Sequence, residues 1–320
     1  GQKLWKSELS SQPWGIWGIY GVSSAYGLLI YPQYDGLVAY DWDDGKVVWR
    51  YKYPAPYPYE TVYSDSNTGE ELYPFYQSVV RIADGVVYVA NDEHSVSNPI
   101  PRGWRLHAIN ATDGTGIWNI TGSMASGGVA DGYLTASNRD GYLYVFGKGK
   151  SQTSVTASPK TIGNGAQVLI EGTVMDMSPA QPGTPAVSKD SMAIQMEYLH
   201  MDKSIPTGYV VTGVPVMLLA IDENNAVTEI GTVMSDASGS FAKAWTPPNE
   251  GIYKITATFA GDDSYGSSWA ETGLAVGPAP ETAPPPEIPI IPDYTLAIIG
   301  AAIAVIIAVA IATVLILRKR

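Results

Sequence analysis

The chain has 320 residues, a formal net charge of −12 and no cysteine. Its acidity argues against nucleic acid as a partner, because like charges repel, and the lack of cysteine excludes disulfide frameworks and cysteine-ligated zinc. The 21 tyrosines, 33 glycines and many valines favour an all-β protein, and the length suggests about two domains.

A repeated pattern occupies the first 150 residues. Each copy reads as a strand, an Asp-Gly turn, a second strand, another Asp-Gly turn and a further strand. Asp-Gly supplies the positive φ values of tight hairpins. Short strands that recur about every 40 residues predict the blades of a β-propeller. The copies are residues 34–49, 84–118 and 131–146, and residues 1–5 match the end of a further copy.

This motif resembles the PQQ-type, quinoprotein-like β-propeller repeat, in which an Asp-Gly turn precedes a Leu-x-Ala-x-Asn/Asp strand and a Thr-Gly-x-x-x-Trp segment. The strand motif is carried by Leu37, Ala39 and Asp41 and again by Leu106, Ala108 and Asn110. The resemblance implies that the repeat tryptophans dock between neighbouring blades and have a structural role. These residues are Trp5, Trp49 and Trp118. The third copy ends without a tryptophan, as expected of a last blade.

The number of copies is small for a propeller, which typically closes with four to eight blades. We therefore expect the chain before Gly1 to supply the remaining blades, together with an export signal. A fragment of residues 1–150 is expected to expose an unpaired blade edge and to aggregate.

The same resemblance bears on catalysis. Quinoprotein dehydrogenases need a PQQ pocket with a Ca²⁺-binding carboxylate, a catalytic Asp and often a vicinal cysteine pair, whereas many relatives with this repeat are scaffolds without a cofactor. Since cysteine is absent, we expect neither PQQ nor Ca²⁺, and we assign no catalytic, cofactor-binding or metal-binding residue. The alternative is a membrane-tethered, quinoprotein-like or other enzyme whose site lies mainly in the missing N-terminal blades.

Two insertions and two sequons interrupt the repeats. Residues 50–76 are rich in tyrosine, and residues 92–103 include Glu93 and His94. Such loops either brace the face of a propeller or bind a glycan or a protein. Asn110 and Asn119 each begin an Asn-x-Thr sequon, so both are candidate N-glycosylation sites.

Residues 151–277 predict a second β domain. Seven strand-like runs separated by turn residues indicate an immunoglobulin-like β-sandwich, and residues 235–262 resemble Ig-like repeats of bacterial and archaeal surface proteins. The runs are 153–157, 166–174, 214–221, 227–234, 240–245, 251–259 and 269–276. Residues 188–201 instead predict a helix capped by Ser188 or Asp190. Its Met192, Met196 and Leu199 pack either in the core or on the propeller or a partner.

The end of the chain predicts a membrane anchor. Residues 278–293 form a proline-rich stalk, residues 294–317 a transmembrane helix and residues 318–320 a basic cytoplasmic tail, which places the preceding body outside the cell. A processed sorting signal is the alternative. Gly300, Ala304, Ala308 and Ala312 share one helical stripe, which either packs against a second helix or merely reflects an alanine-rich span.

Together these features predict an all-β protein: about three propeller blades, an Ig-like sandwich and one C-terminal transmembrane helix. The arrangement resembles archaeal cell-surface proteins. We expect a non-catalytic binding or scaffold protein of the cell membrane, whose partners are the lipid bilayer and a cell-surface glycan or envelope protein, and not nucleic acid.

Overall fold

The computed structural model describes residues 1–7, 21–55, 61, 64–65, 67–75, 79–91, 102–279 and 293–319. Glu93 and His94, four of the tyrosines in the first insertion, most of the proline-rich stalk and Arg320 lie outside these residues. The described chain is mostly β-strand, as the sequence predicts.

Three antiparallel meanders form the repeat region, which is propeller-like. Sheets A and B have four strands each, and sheet C has three, in sequential order. Sheet A contains β1 (Ser23–Ala25), β2 (Leu28–Gln33), β3 (Gly36–Asp41) and β4 (Val47–Tyr51). Sheet B contains β5 (Arg81–Ala83), β6 (Val86–Ala90), β7 (Arg105–Asn110) and β8 (Gly116–Thr121). Sheet C contains β9 (Met124–Ala130), β10 (Tyr133–Asn138) and β11 (Leu143–Phe146).

The tight hairpins of sheets B and C follow from their Asp-Gly turns. Asp84 and Gly85 have φ values of 48° and 71°, and Asp131 and Gly132 have 51° and 79°. Two consecutive positive φ values are the mark of a type I′ turn, whose twist matches that of the flanking strands. Asx residues and glycine are the residues that reach this region at the least cost.

Consecutive sheets pack face to face around two apolar clusters. One lies between sheets A and B and includes Ile30, Leu37, Val87 and Ile109. The second lies between sheets B and C, where Leu106 meets residues such as Leu134 and Ala136. Each sheet therefore has a forward face toward the next sheet and a rear face toward the previous one.

Residues 151–277 form two sheets around one core. The strands are β12 (Ser151–Ser158), β13 (Thr161–Gly163), β14 (Val168–Asp176), β15 (Thr184–Pro185), β16 (Pro215–Ile221), β17 (Val227–Met234), β18 (Ser240–Trp245), β19 (Gly251–Phe259) and β20 (Ser268–Gly277). In the first sheet β14 pairs with β12 on one side and with β15 and β18 on the other, and the second has the order β13-β20-β19-β16-β17. Both sheets supply buried side chains to a single cluster, which makes this region a two-layer sandwich.

Helix α1 (Lys189–His200) lies between β15 and β16. Ser188 is its N-cap and accepts a hydrogen bond from the Ser191 backbone N–H. Met192 packs against the sandwich core, whereas Met196 packs against the cluster of sheets B and C. The predicted apolar stripe is thus divided between two cores and only partly buried.

A second compact unit covers residues 280–320 and contains helix α2 (Thr295–Arg318). Within the described part of the chain, α2 is the one helix long and apolar enough to cross a bilayer. None of its described side chains is buried. The helix predicted over residues 294–317 is present.

Candidate functional site

Specific polar contacts lie at the junctions between neighbouring sheets of the repeat region. At the junction of sheets A and B, the Trp49 indole N–H donates a 2.8 Å hydrogen bond to the Ala111 carbonyl. Its ring lies against Gly114, where an added Cβ would come within 2.7 Å of the indole. Gly114 also has a φ of 75°, so both its conformation and its neighbour require glycine.

The same contact occurs one repeat earlier. The Trp5 indole N–H donates a 2.9 Å hydrogen bond to the Trp42 carbonyl, and its ring lies against Gly45. Trp42 and Gly45 hold the positions in sheet A that Ala111 and Gly114 hold in sheet B. Each of these tryptophans therefore reaches forward to the Asp-Gly turn of the following sheet.

Trp118 is placed differently. Its ring stacks on Phe146 with centroids 5.7 Å apart and lies 6.1 Å from Tyr88. In sheet C the position equivalent to these Asp-Gly turns follows β11, where residues 147–150 contain no Asp-Gly pair and lead directly into β12 (Ser151–Ser158). Without such a turn there is no equivalent docking position, and Trp118 packs on the Phe146 ring instead.

A buried histidine connects sheets A and B. His107 is fully buried, and its Nε2 lies 3.0 Å from the Asn91 Oδ1. Because that oxygen is an acceptor, which also binds the Arg105 backbone N–H, His107 carries its proton on Nε2. Its Nδ1 then accepts a 3.1 Å hydrogen bond from the Tyr51 hydroxyl.

The surroundings of His107 keep it neutral. The rings of Tyr51, Tyr53 and Phe75 lie edge-on to the imidazole at 4.6–5.7 Å between centroids. Burial, with the Arg105 charge as a smaller cause, lowers the pKa of His107 to about 3. Burial likewise raises the pKa of Tyr51 to about 12. This arrangement suits structural hydrogen bonding, because neither group changes its protonation near neutral pH.

An ion pair joins sheet B to helix α1. Glu197 on α1 binds the Arg105 guanidinium and accepts a 2.9 Å hydrogen bond from the Thr121 backbone N–H. Arg105 also donates to the Asn119 Oδ1 and, over 2.9 Å, to the Thr121 hydroxyl. Both side chains of the pair are mostly buried, at 21% exposed for Arg105 and 13% for Glu197. Helix α1 is therefore joined to sheet B by an ion pair and by a hydrogen bond from the backbone of sheet B.

The candidate modification and helix-packing residues are located as follows. Asn110 accepts a 2.8 Å hydrogen bond from the Thr112 backbone N–H, and Asn119 is the partially buried partner of Arg105. Gly300, Ala304, Ala308 and Ala312 are exposed on α2. Glycosylation and helix packing at these positions stay predictions.

The described residues contain no group of three or more His, Asp or Glu side chains that could hold a metal ion. Carboxylates at turns are engaged locally: Asp41 accepts from the Asp43 and Asp44 backbone N–H groups, and Asp236 from those of Ser238 and Ser240. No cysteine exists for a vicinal pair.

Sequence reasoning missed His107, Arg105 and Glu197 as a set of junction residues. His107 was visible as a histidine inside the Leu-x-Ala strand motif, at a position flanked by apolar residues. Arg105 and Glu197 lie 92 residues apart and share no local pattern.

Comparison with known proteins supports the repeat assignment. Residues 1–150 match the family model PQQ_2, whose description is outer membrane protein assembly factor BamB. No curated protein matches the chain. The matched residues contain all three sheets, which confirms the prediction of a PQQ-type repeat in this part of the chain.

Two solved structures were also found to be similar. The adhesin InvE of Yersinia pseudotuberculosis is 12% identical, with a TM-score of 0.25 over 60% of this chain and 53% of that one. The quinohemoprotein alcohol dehydrogenase of Comamonas testosteroni is 12% identical, with a TM-score of 0.24 over 82% of this chain and 60% of that one. The chain thus spans less than two thirds of either structure.

Proposed function

We propose that this chain is a single-pass, membrane-anchored cell-surface protein whose propeller-like sheets bind or scaffold rather than catalyse. The observation that carries the proposal is helix α2. Its 24 residues contain no charge before Arg318, and at 1.5 Å per residue they extend about 36 Å, enough for a hydrocarbon core of about 30 Å.

The basic end of α2 supports an orientation. Arg318, Lys319 and Arg320 follow the apolar run directly, and such residues stay on the cytoplasmic side. The body that precedes α2 is then outside the cell. It is acidic, since the chain has 31 acidic residues and 19 basic ones, three of which lie in this tail.

The sandwich and the proline-rich segment fit the role of a spacer. We assign the sandwich to the Ig-like class because its two sheets enclose one core and its seven longer strands occur where the sequence places them. The family description, an assembly factor of outer membrane proteins, favours an envelope protein as the partner over a small substrate. A cell-surface glycan is the other binding partner that we consider.

Topology can be tested with single cysteines, because the chain has none of its own. We expect a membrane-impermeant maleimide to label Ile117→Cys in intact cells, since Ile117 is 53% exposed. Lys319→Cys should be labelled only after permeabilisation. The reverse pattern would contradict the orientation, and release of the protein by alkaline carbonate would contradict the anchor. Quinone- or metal-dependent turnover by the full-length protein would contradict the non-catalytic role.

A further inference from the structure

The outer faces of the two sandwich sheets differ in chemistry. The second sheet presents large apolar side chains to solvent, since Met217, Val227, Ile252 and Trp269 are 41%, 61%, 61% and 66% exposed. The first sheet presents mainly small or polar ones. On its strand β12, where Thr153 and Ala157 are buried, the outward side chains are Gln152, Ser154, Thr156 and Ser158. One side of the sandwich is therefore apolar and uncovered within the chain.

The strand register places these apolar side chains on one continuous face, because cross-strand partners point to the same side of a sheet. Rows of paired residues cross β20, β19, β16 and β17, and they are Trp269–Thr258–Met217–Thr232, Glu271–Thr256–Leu219–Glu229 and Gly273–Lys254–Ile221–Val227. We call these rows, together with Ile252, the outer face of the second sheet.

This outer face is nearly neutral. Its charged side chains are Glu229, Lys254 and Glu271. Lys254 lies 3.7 Å from Glu271, whereas Glu229 makes no ion pair with the described residues. The chain as a whole is strongly acidic, with 31 acidic residues against 19 basic ones, three of which lie in the C-terminal tail. The face therefore differs in charge from the body that carries it.

We propose that the outer face of the second sheet is the surface through which two copies of this chain associate side by side in the membrane. Acidic bodies repel one another, and this face brings two copies together where their charges nearly cancel. Lipid hydrocarbon does not fit as the occupant, because three charged side chains would lose their hydration there.

A two-fold axis parallel to β16 fits the pattern of charges. Identical chains most often associate in this self-complementary way. The axis brings the Met217 side chains of the two copies together, and it places Lys254 of each copy over β17 of the other, beside Glu229. An axis midway between β16 and β19 would instead oppose Glu229 and Glu271, which lie in the same row.

The area of the face indicates a weak contact. Four strands about 4.8 Å apart, each about seven residues long at about 3.3 Å per residue, cover about 440 Å², so two copies bury at most about 900 Å². Stable interfaces bury about 1,200–2,000 Å² in total. The inference therefore rests on the proposed membrane anchor, because tethering in one bilayer raises the effective concentration of the two copies.

Cysteine cross-linking of the full chain in the membranes of its host tests the association. We expect Met217→Cys, treated with a short bis-maleimide, to give at least about tenfold more product of twice the chain mass than Leu169→Cys. Leu169 is a matched control, because it is 40% exposed and lies on the outer face of the first sheet. Equal yields, the absence of a cross-link, or a cross-link to a different protein identified by mass spectrometry would overturn the proposal.

Charge exchange tests the arrangement of the two copies. We expect Lys254→Glu to lower the cross-linking of Met217→Cys about tenfold, to the level of Leu169→Cys, and Glu229→Lys added to it to restore the yield. Lys254 is 53% exposed, so these changes leave the core intact. Failure of the second change to restore cross-linking would overturn the proposal.

Sedimentation of the same samples separates this inference from the anchor. A chain that is absent from the membrane fraction contradicts both the anchor and the association that depends on it. A chain that stays with the membrane, yet gives no more dimer from Met217→Cys than from Leu169→Cys, contradicts the association alone.

Discussion

At the scale of single residues, the repeat junctions depend on glycines that leave no room for a Cβ atom. Gly114 combines a φ of 75° with direct contact to the Trp49 ring. Gly132 has a similar φ of 79°, but a Cβ added there would have nothing within 4 Å. The two glycines therefore separate the cost of the backbone conformation from the cost of lost docking.

We expect Gly114→Ala to destabilise the protein more than Gly132→Ala. Both variants incur about 1–2 kcal/mol for a left-handed alanine. Only Gly114→Ala also displaces the indole, which adds about 1–3 kcal/mol of overpacking. Denaturant unfolding of the two variants, followed by tryptophan fluorescence, measures the difference. Equal losses would mean that the Trp49 contact contributes nothing.

His107 predicts a pH dependence of stability. Its folded pKa is about 3, against 6.5 for the ordinary side chain, so between these values the unfolded chain binds a proton that the folded chain does not. Stability from this group is complete near pH 8 and decreases as the pH falls, by about 2 kcal/mol between pH 8 and 5.

The test compares the wild type with His107→Gln. We expect the free energy of unfolding of the variant to fall less over this range, by about the same 2 kcal/mol. Ile109→Val, a buried change without a titratable group, controls for a general loss of stability and should keep the wild-type slope. If the slope of His107→Gln matched the wild type, the histidine would not be responsible.

At the scale of elements, helix α1 contacts the repeat region through the packing of Met196 and through the Glu197 carboxylate. Glu197 binds both the Arg105 guanidinium and the Thr121 backbone N–H, so its removal leaves a partly buried guanidinium without its counter-charge and a partly buried N–H without its acceptor. An unsatisfied buried group costs about 1–3 kcal/mol. This contrasts with the Lys254–Glu271 pair, where both side chains are about half exposed.

We expect Glu197→Ala to lose about 2–3 kcal/mol of stability and to increase hydrogen exchange across α1. Glu271→Ala, the surface control, should change stability by less than about 1 kcal/mol. Unfolding curves and exchange mass spectrometry measure both effects. Unchanged exchange in α1 would show that other contacts hold the helix in place.

At the scale of the whole molecule, the sequence predicts more of the architecture than of the junctions. The strands of the sandwich were predictable because alternation and turn residues are local signals, and β17, β18 and β19 begin and end where the pattern places them. β13 and β15 were not, because three and two residues are too few to show a period.

The junction contacts could not be predicted in the same way. His107 and Tyr51 are 56 residues apart, and Arg105 and Glu197 are 92 apart. Which residues meet is determined by the packing of the sheets and of helix α1. A local sequence pattern contains no information about that packing. Trp49 was predictable only as a docking residue, and the structure was needed to show that Trp118, which has no Asp-Gly turn after β11 to meet, stacks on Phe146 instead.

Removal of the C-terminal unit tests the anchor. We expect a chain that stops after Ala279 to appear in the soluble exported fraction, whereas the full chain stays with the membrane. Fractionation followed by immunoblotting distinguishes the two. A truncated chain that still sediments with membranes and resists high salt would show that residues 1–279 contain a membrane contact of their own.

The forward reach of each tryptophan gives the array a direction. Trp5 and Trp49 each attach to a turn in the sheet that follows, so one copy of the repeat carries half of two different junctions. A duplication or deletion whose two ends lie at equivalent positions of two repeats keeps each such tryptophan paired with a turn of the following sheet. One whose ends lie at non-equivalent positions disrupts the junctions on both sides. Such a region can therefore change in length during evolution, or in the laboratory, only by whole repeats.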